Sequence, residues 1–327
     1  MVNLTEVSKT NDAFAAERHR GLVCVFAGAT SGTGAGTLEA MAKIVFESTF
    51  YVLGRSAAHF ATQREKLQSL NPTCTVIFLE AEISLLSDVD AACKQIAAAE
   101  GRVDYLYMSC GLISLNGPQY TKEGLEVCFS LSYYARMRLT TNLLPLLRAS
   151  EQPRVLSVLN AGREQRMRDD DLGLEKHWSA MAVIGHSTTM TSLALEYLAA
   201  HDSKIAFLHA FPGWVRTDNF SRLRAPDGSA IFWRVALRLI QGLVAVVQKV
   251  FGISAEDCGA RQAFHLTSGR FAGPGLLLID RASDILPRSK VLEHYRTMAG
   301  PEKVWEHTAG VFEKALTRGG SKGTDRG

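Results

Sequence analysis

The run Ala27-Gly28-Ala29-Thr30-Ser31-Gly32-Thr33-Gly34 follows directly on the apolar stretch Leu22–Phe26. Glycines at this spacing, where a strand gives way to a helical segment over 37–47, suit the pyrophosphate of a dinucleotide. Gly28 can adopt a backbone conformation closed to side chains. Gly32 and Gly34 let the main chain approach phosphate oxygens at a helix N-terminus. The alternative is a structural glycine turn, and the strand-to-helix context favours the nucleotide. Metal chemistry finds no support. There is no HExxH, and the cysteines at 24, 74, 93, 110, 128 and 258 form no CxxC pair.

The elements needed to position such a turn are visible in the pattern of apolar residues. Strands are expected at Leu22–Ala27, Phe50–Leu53, Thr75–Leu79, Asp104–Met108, Arg154–Val158, Ile205–Phe211 and Gly275–Ile279. Helices are expected over 33–47, 57–70, 86–100, 123–149, 179–201 and 255–267. This alternation implies an α/β fold, a doubly wound parallel sheet of Rossmann-like type. No linker interrupts residues 20–282, so 21–282 reads as one dinucleotide-binding domain. An N-terminal extension (1–20), a C-terminal helical extension (283–316) and a disordered tail (317–327) complete the chain.

Composition narrows the function classes. The chain has 327 residues, 46% hydrophobic and 21% charged, with a net charge of +3 and no basic block, which argues against nucleic acid. Scattered cysteines and a polar first twenty residues suit a cytoplasmic protein without a signal peptide. Ala230–Ile253 is strongly apolar, yet Arg234, Arg238, Gln241, Gln248 and Lys249 recur at helical spacing. Those charges interrupt any membrane span. The segment, within a helical lid region over 219–254, reads as a packed helix, a lid over an apolar substrate, a dimer face, or a membrane-surface contact.

In the order of these motifs the chain resembles the short-chain dehydrogenase/reductase superfamily over roughly residues 20–282. The glycine turn matches the family's TGxxxGxG with Ala27 in place of Thr. The resemblance implies NADP(H) as cofactor, because Gly54-Arg55-Ser56 puts a basic residue where a 2′-phosphate would sit. It implies further cofactor contacts from Glu82 at the adenine and from Gly111 after the fourth strand. The segment Phe211–Thr217 adds Pro212, Gly213, Val215 and Thr217 near the nicotinamide. The family's proton donor is a tyrosine followed four residues later by lysine. None of the tyrosines at 51, 105, 107, 120, 133, 134, 197 and 295 has that partner. Two registers place Ile184 and Thr188, or Ser179 and Val183, at the two positions. Tyr133–Arg138, Ser157–Gly162 and His186–Thr191 resemble a divergent branch of the family common in fungal secondary metabolism.

Four residues are candidates for the missing chemistry. His186 has an imidazole that titrates near neutrality. Tyr133 and Tyr134 lie on the helix that lines the family's pocket, with Arg138 one turn beyond Tyr134 to favour a phenolate. Ser157 is the surviving hydroxyl on its strand, with Asn160 the alternative. Asp169, Asp170 and Asp171 read as a solvated loop that caps a helix. Trp178, Trp214, Phe220, Phe232 and Trp233 suit an apolar, polyketide-like ligand. Three functions stay open: an NADP-dependent oxidoreductase on an apolar ketone or alcohol, a non-redox cyclase, isomerase or dehydratase, and a non-catalytic NADP-binding protein. The family resemblance implies a homodimer paired through 123–149 and 179–201.

Overall fold

Alternation of short apolar runs with longer amphipathic segments produces the doubly wound sheet. It is seen in a computed structural model that describes residues 2–112, 117–216, 235, 238–242 and 252–321. The strands are β1 (Val23–Ala27), β2 (Thr49–Gly54), β3 (Thr75–Glu80), β4 (Tyr105–Met108), β5 (Arg154–Val158), β6 (Ala206–Ala210), β7 (Gly275–Ile279) and β8 (Ile285–Leu286). Their order is β3-β2-β1-β4-β5-β6-β7-β8. All neighbours are parallel except β8, which runs antiparallel to β7. The order reverses between β1 and β4, which opens a crevice at the carboxyl ends of the strands where ligands of such sheets bind.

Both faces are covered, so β1 reads as an unbroken apolar run. Val23, Val25 and Ala27 face one core and Cys24 and Phe26 the other. On the Phe26 side lie α1 (Leu4–Ala16), α2 (Gly32–Ile44), α3 (Ala57–Leu70) and α8 (Ala255–Thr267). On the Val25 side lie α4 (Leu86–Ala99), α6 (Ala135–Ala149), α7 (Ala180–Ala200), α9 (Lys290–Thr297) and α10 (Gly300–Ser321). The first residues are tied down: the Val2 amide donates to Ala282 O at 3.2 Å, and Asn11 Nδ2 donates to Ala260 O at 3.0 Å. Ahead of α6 the chain makes a short turn, α5 (Val127–Phe129), then a π-helical turn over Ser130–Tyr134.

The expected boundaries need correction at the C-terminus. α10 runs to Ser321, into the segment expected to be disordered, because Phe312 and Ala315 bury its inner stripe and draw the helix onward. That inner stripe also occupies the helix faces expected to pair two copies. Trp305 stacks on Tyr197 of α7 with centroids 5.1 Å apart. The Tyr133 hydroxyl meets Thr308 Oγ1 at 2.5 Å, and the Arg138 guanidinium lies 5.4 Å from the Phe312 ring centroid. Pairing of copies through those faces therefore requires α10 to leave.

The lid region 219–254, with its polar stripe and membrane-surface reading, lies mostly outside the described residues. Its base is fastened, since Val215 bridges Ile253 and the Arg216 amide donates to Ile253 O at 3.0 Å. Among the described residues, no helix is long and apolar enough to cross a membrane. Light scattering of the full chain is expected to give a single species near 35.7 kDa. A stable species of twice that mass would mean either that α10 is displaced or that copies pair elsewhere.

Candidate active site

The glycine turn is built as a phosphate cradle requires. Gly28 and Gly32 have φ of +81° and +57°, the left-handed region where a side chain is strained. A Cβ on Gly28 would lie 2.3 Å from the Cys110 amide nitrogen, so β1 and the chain after β4 approach too closely for any larger residue. Gly34 turns out to serve the turn itself, since a Cβ there would meet Gly28 O at 2.2 Å. Ser31 is the N-cap of α2 yet makes no capping bond. The first-turn amides and the helix dipole are therefore left for an anion. Thr30 and Thr33 complete the turn, with Thr30 Cγ2 packed against Gly54 at the end of β2.

Arg55 follows β2. Its guanidinium is largely exposed and approaches Glu82 Oε2 only to 3.9 Å. Glu82 Oε1 meanwhile accepts from the Ser84 amide at 3.2 Å and the Ser84 hydroxyl at 2.9 Å. Among the described residues, Arg55 thus stands at the crevice with no ion-pair partner nearer than Glu82. Pro212 and Gly213 follow β6, with Gly213 at φ +78°. Thr217, Phe220, Phe232 and Trp233 lie outside the described residues, while Trp214 is exposed and Trp178 partly buried. The residues present fit a dinucleotide: a bend built from glycine, an uncapped helix start and an exposed cation beyond the second strand.

The chemical end of the crevice is organised by a residue absent from the list of candidates. Arg136, on α6, is 1% exposed and has no carboxylate partner among the described residues. Its Nη1 donates to Ser157 Oγ at 2.9 Å and to Val158 O at 2.8 Å, and its Nε donates to Leu131 O at 3.2 Å. Its Nη2 donates to Cys110 O and lies beside Gly111. Burial pushes its pKa below the usual guanidinium value, and the ring of carbonyl oxygens supplies what water would have. Ser157 is fully buried, and its Oγ accepts from Arg136.

Asn160 and α7 face each other across this end. Asn160 Nδ2 donates to Thr188 Oγ1 at 3.5 Å, and the Thr188 hydroxyl donates to Ile184 O at 2.7 Å. Ser179 is the N-cap of the same helix, its Oγ accepting from the Ala182 amide at 3.1 Å. Of the two registers, the geometry brings Thr188 to the end of β5 and leaves Ser179 as a cap. Beneath Asn160 runs a buried chain. His209 Nδ1 meets Ser192 Oγ at 2.8 Å, Ser192 Oγ donates to Glu164 Oε1 at 2.9 Å, and the Asn160 amide lies 3.4 Å from His209 Nε2. A consistent assignment has His209 donating through Nδ1 and accepting at Nε2. The Gly162 amide also donates to Glu164 Oε1, at 3.0 Å, so this chain holds the loop that carries Asn160.

The other candidates are placed elsewhere. On a helix turning 100° per residue, His186 points away from the side that carries Ile184 and Thr188. The Arg168 amide donates to its Nε2 at 3.0 Å, and its Nδ1 lies 3.2 Å from Leu172 O. Both nitrogens serve the loop before α7, and burial lowers its pKa. Tyr133 and Tyr134 turn outward to α10, where the Tyr134 hydroxyl meets His307 Nε2 at 2.9 Å. Burial raises both phenol pKa values above the usual range. Arg138 does not reach Tyr134 as a partner, because it forms a two-bond pair with Asp90 at 2.6 and 2.7 Å. Asp171 is buried rather than solvated, and its carboxylate accepts from the amides of Glu175, Lys176 and His177. Among the described residues no cluster could hold a metal.

The residues missed, Arg136, Glu164, Ser192 and His209, left one signal in the sequence. Arg136 and His209 are polar residues at positions where the period of an α-helix or strand demands apolar ones.

Known proteins share this architecture. Residues 22–227 match the family described as short chain dehydrogenase. The oxidoreductase lepF of Aspergillus flavus is 35% identical over 98% of this chain and 100% of its own length. The oxidoreductase andH of Emericella variicolor is 31% identical over 96% and 97%. Among solved structures, an NADPH-bound carbonyl reductase from chicken fatty liver superposes with a TM-score of 0.57 at 15% identity, covering 83% of this chain and all of that one.

Two stability experiments follow from this geometry. Arg136→Met strips the donors from several buried acceptors and should cost about 3–5 kcal/mol, read from the denaturant midpoint. Loss within the range of an exposed substitution would show that the cage carries no load. The second concerns acid. His209 and His265 are buried, and burial drops each to about 3. Unfolded, each titrates near about 6.5. Below that value the unfolded chain binds protons that the folded chain refuses. Their contribution is thus intact above about pH 6.5 and is lost as pH falls toward the folded value. Each histidine should remove roughly 1.4 kcal/mol of stability per pH unit in that window. Denaturant midpoints that stay flat from about pH 7 to about pH 5 would contradict this.

Proposed function

The chain belongs to the short-chain dehydrogenase family, and from that premise we propose that it is an NADP(H)-dependent oxidoreductase. In this reading it moves a hydride between the cofactor and the ketone or alcohol of a largely apolar molecule of secondary metabolism. The observation that carries it is the nucleotide half of the crevice, with Gly28 and Gly32 in the left-handed region and α2 uncapped at Ser31. Arg55, which approaches Glu82 only to 3.9 Å, is available to a 2′-phosphate. The relatives named as oxidoreductases and the NADPH-bound carbonyl reductase of like fold support the same reading.

When bound, the cofactor supplies the hydride. The work of this chain is to orient and polarise. Gly28, Thr30, Ser31, Gly32, Thr33 and Gly34 hold the pyrophosphate, and Glu82 the adenine. Gly111, Pro212, Gly213 and Val215 would line the nicotinamide. Asn160 and Thr188 take the place of the tyrosine–lysine pair: Thr188, whose hydroxyl proton goes to Ile184 O, accepts one Nδ2 hydrogen of Asn160, and the other Nδ2 hydrogen is the donor to the substrate oxygen. Water delivers the proton, because His186, Tyr133 and Tyr134 are engaged with the loop and α10. Arg136 contributes a fixed positive charge below the site, which favours negative charge developing on that oxygen.

A second reading, a non-redox cyclase, isomerase or dehydratase, draws on the aliphatic Ile184 facing this end and the lack of an acid beside it. A crevice with few strong acids suits a reactive chain held in one conformation. A product of unchanged oxidation state, formed without nucleotide, would select it.

Nucleotide fluorescence titration tests the first reading. NADPH should bind with micromolar affinity and NADH more weakly. Arg55→Ala should weaken NADPH about ten-fold, a change of roughly 1.4 kcal/mol, and leave NADH unchanged. Equal affinity for the two nucleotides would overturn the NADP assignment, and binding of neither would overturn the redox reading.

A further inference from the structure

A cavity of about 960 Å³ lies between α10, the loop before α7 and the turn at Glu123–Leu125. It is separate from the nucleotide crevice. None of the described residues lining it belongs to the glycine turn, to the ends of β4 and β5, or to Pro212–Gly213. Its size is at the upper end of small-molecule sites, which run to about 1,000 Å³.

The wall states what would fill it. Leu125, Met167 and Val304 are buried apolar side chains that line it. Two of its carboxylates are already satisfied by the backbone. Glu123 accepts from the Leu86 amide at 2.6 Å and the Ser87 amide at 2.9 Å. Asp171 accepts from the three amides at 175–177. Six acidic side chains, these two included, stand against the four cations Lys176, Lys303, Lys314 and Arg318, so the wall carries an excess of negative charge. Such a wall disfavours an anionic ligand.

One polar group is directed and fixed. His307 lines the cavity, and its Nε2 is held by the Tyr134 hydroxyl at 2.9 Å. Nδ1 is then the ring's remaining hydrogen-bonding atom. Burial lowers the His307 pKa, which keeps the ring neutral. An uncharged imidazole accepts or donates one hydrogen bond to a neutral polar atom.

We propose that this cavity is a second small-molecule site, for a molecule without negative charge whose apolar part packs on Leu125, Met167 and Val304 and whose one hydrogen-bonding oxygen meets His307. It is not the hydride-transfer site. Its loop wall, Met167–Lys176, lies in the segment that leads from Asn160 to α7, so occupancy braces the strand of chain that carries Asn160.

Nile red, a neutral apolar dye with a ring carbonyl, is the probe for the full-length protein. Saturable one-to-one binding is expected, with NADPH in excess leaving the affinity unchanged. Gly310→Trp projects an indole from the cavity wall on α10, where a Cβ meets nothing within 4 Å. It should weaken the dye at least about ten-fold while circular dichroism and melting temperature hold. His307→Leu keeps the apolar wall and should weaken the dye about five-fold, the worth of one hydrogen bond. Unaltered binding by Gly310→Trp, displacement of the dye by NADPH, or no saturable binding would each overturn the proposal. The Gly310→Trp arm needs no nucleotide, so it decides the cavity independently of the redox reading.

Discussion

The chemical end of this fold depends on one buried cation. Arg136 joins Cys110 O beyond β4, Ser157 and Val158 on β5, and Leu131 O in the π-helical turn, without a carboxylate among the described residues to neutralise it. An ion in such surroundings is tolerated only when its donors are met by well-placed acceptors. The carbonyl oxygens do this because parallel strands end side by side and expose their last acceptors toward the helix. The guanidinium in turn fixes the spacing of β4 and β5 at the point where the crevice opens. Removing the charge would free both strand ends at once.

The π-helical turn is the device that delivers this cation. Residues 132 and 136 share one face at helical spacing, while 133 and 134 fall on the other. Ser132 and Arg136 therefore face the strand ends, and Tyr133 and Tyr134 face outward. The outward face is amphipathic, with two phenols that need partners when buried. α10 supplies them through Thr308 and His307. The covering helix and the inward cation are thus consequences of one local geometry. The tyrosines that sequence reasoning had assigned to proton transfer are the ones this geometry turns away.

What was legible follows from locality. Strands buried on both faces appear as continuous apolar runs, so Arg154–Val158 and Gly275–Ile279 were read with their observed ends. The glycine turn was legible because its signal spans eight residues and sits at a strand-to-helix junction. Helices 57–70 and 255–267 were bounded by Ser56 and Ser254, each of which caps its helix through its side chain. The site was less legible because its contacts are long-range. Tyr133 to Thr308 spans 175 residues, and no window of sequence contains both. His186 was misplaced for a different reason: a helix position was known, but its azimuth was not. Two residues along α7 reverse the direction of a side chain.

The register at α7 bears on how much rate the site can supply. A positioned general acid is worth about 10²–10⁴ in rate. With Ile184 and Thr188 facing the end of β5, none of the described side chains named there is a general acid. Arg136 cannot make up the difference by proton transfer, since a guanidinium does not release its proton in a protein. It acts only through its field, and a field stabilises charge already developing on a bound oxygen. Under the oxidoreductase reading, the chain then relies on orientation by the loop that Glu164, Ser192 and His209 hold in place, with solvent closing the proton balance. That arrangement suits a substrate whose reduced oxygen lies near the crevice mouth, where water can reach it. It does not suit one enclosed beneath an apolar lid, so the oxygen of the true substrate should sit at the open edge of the bound molecule.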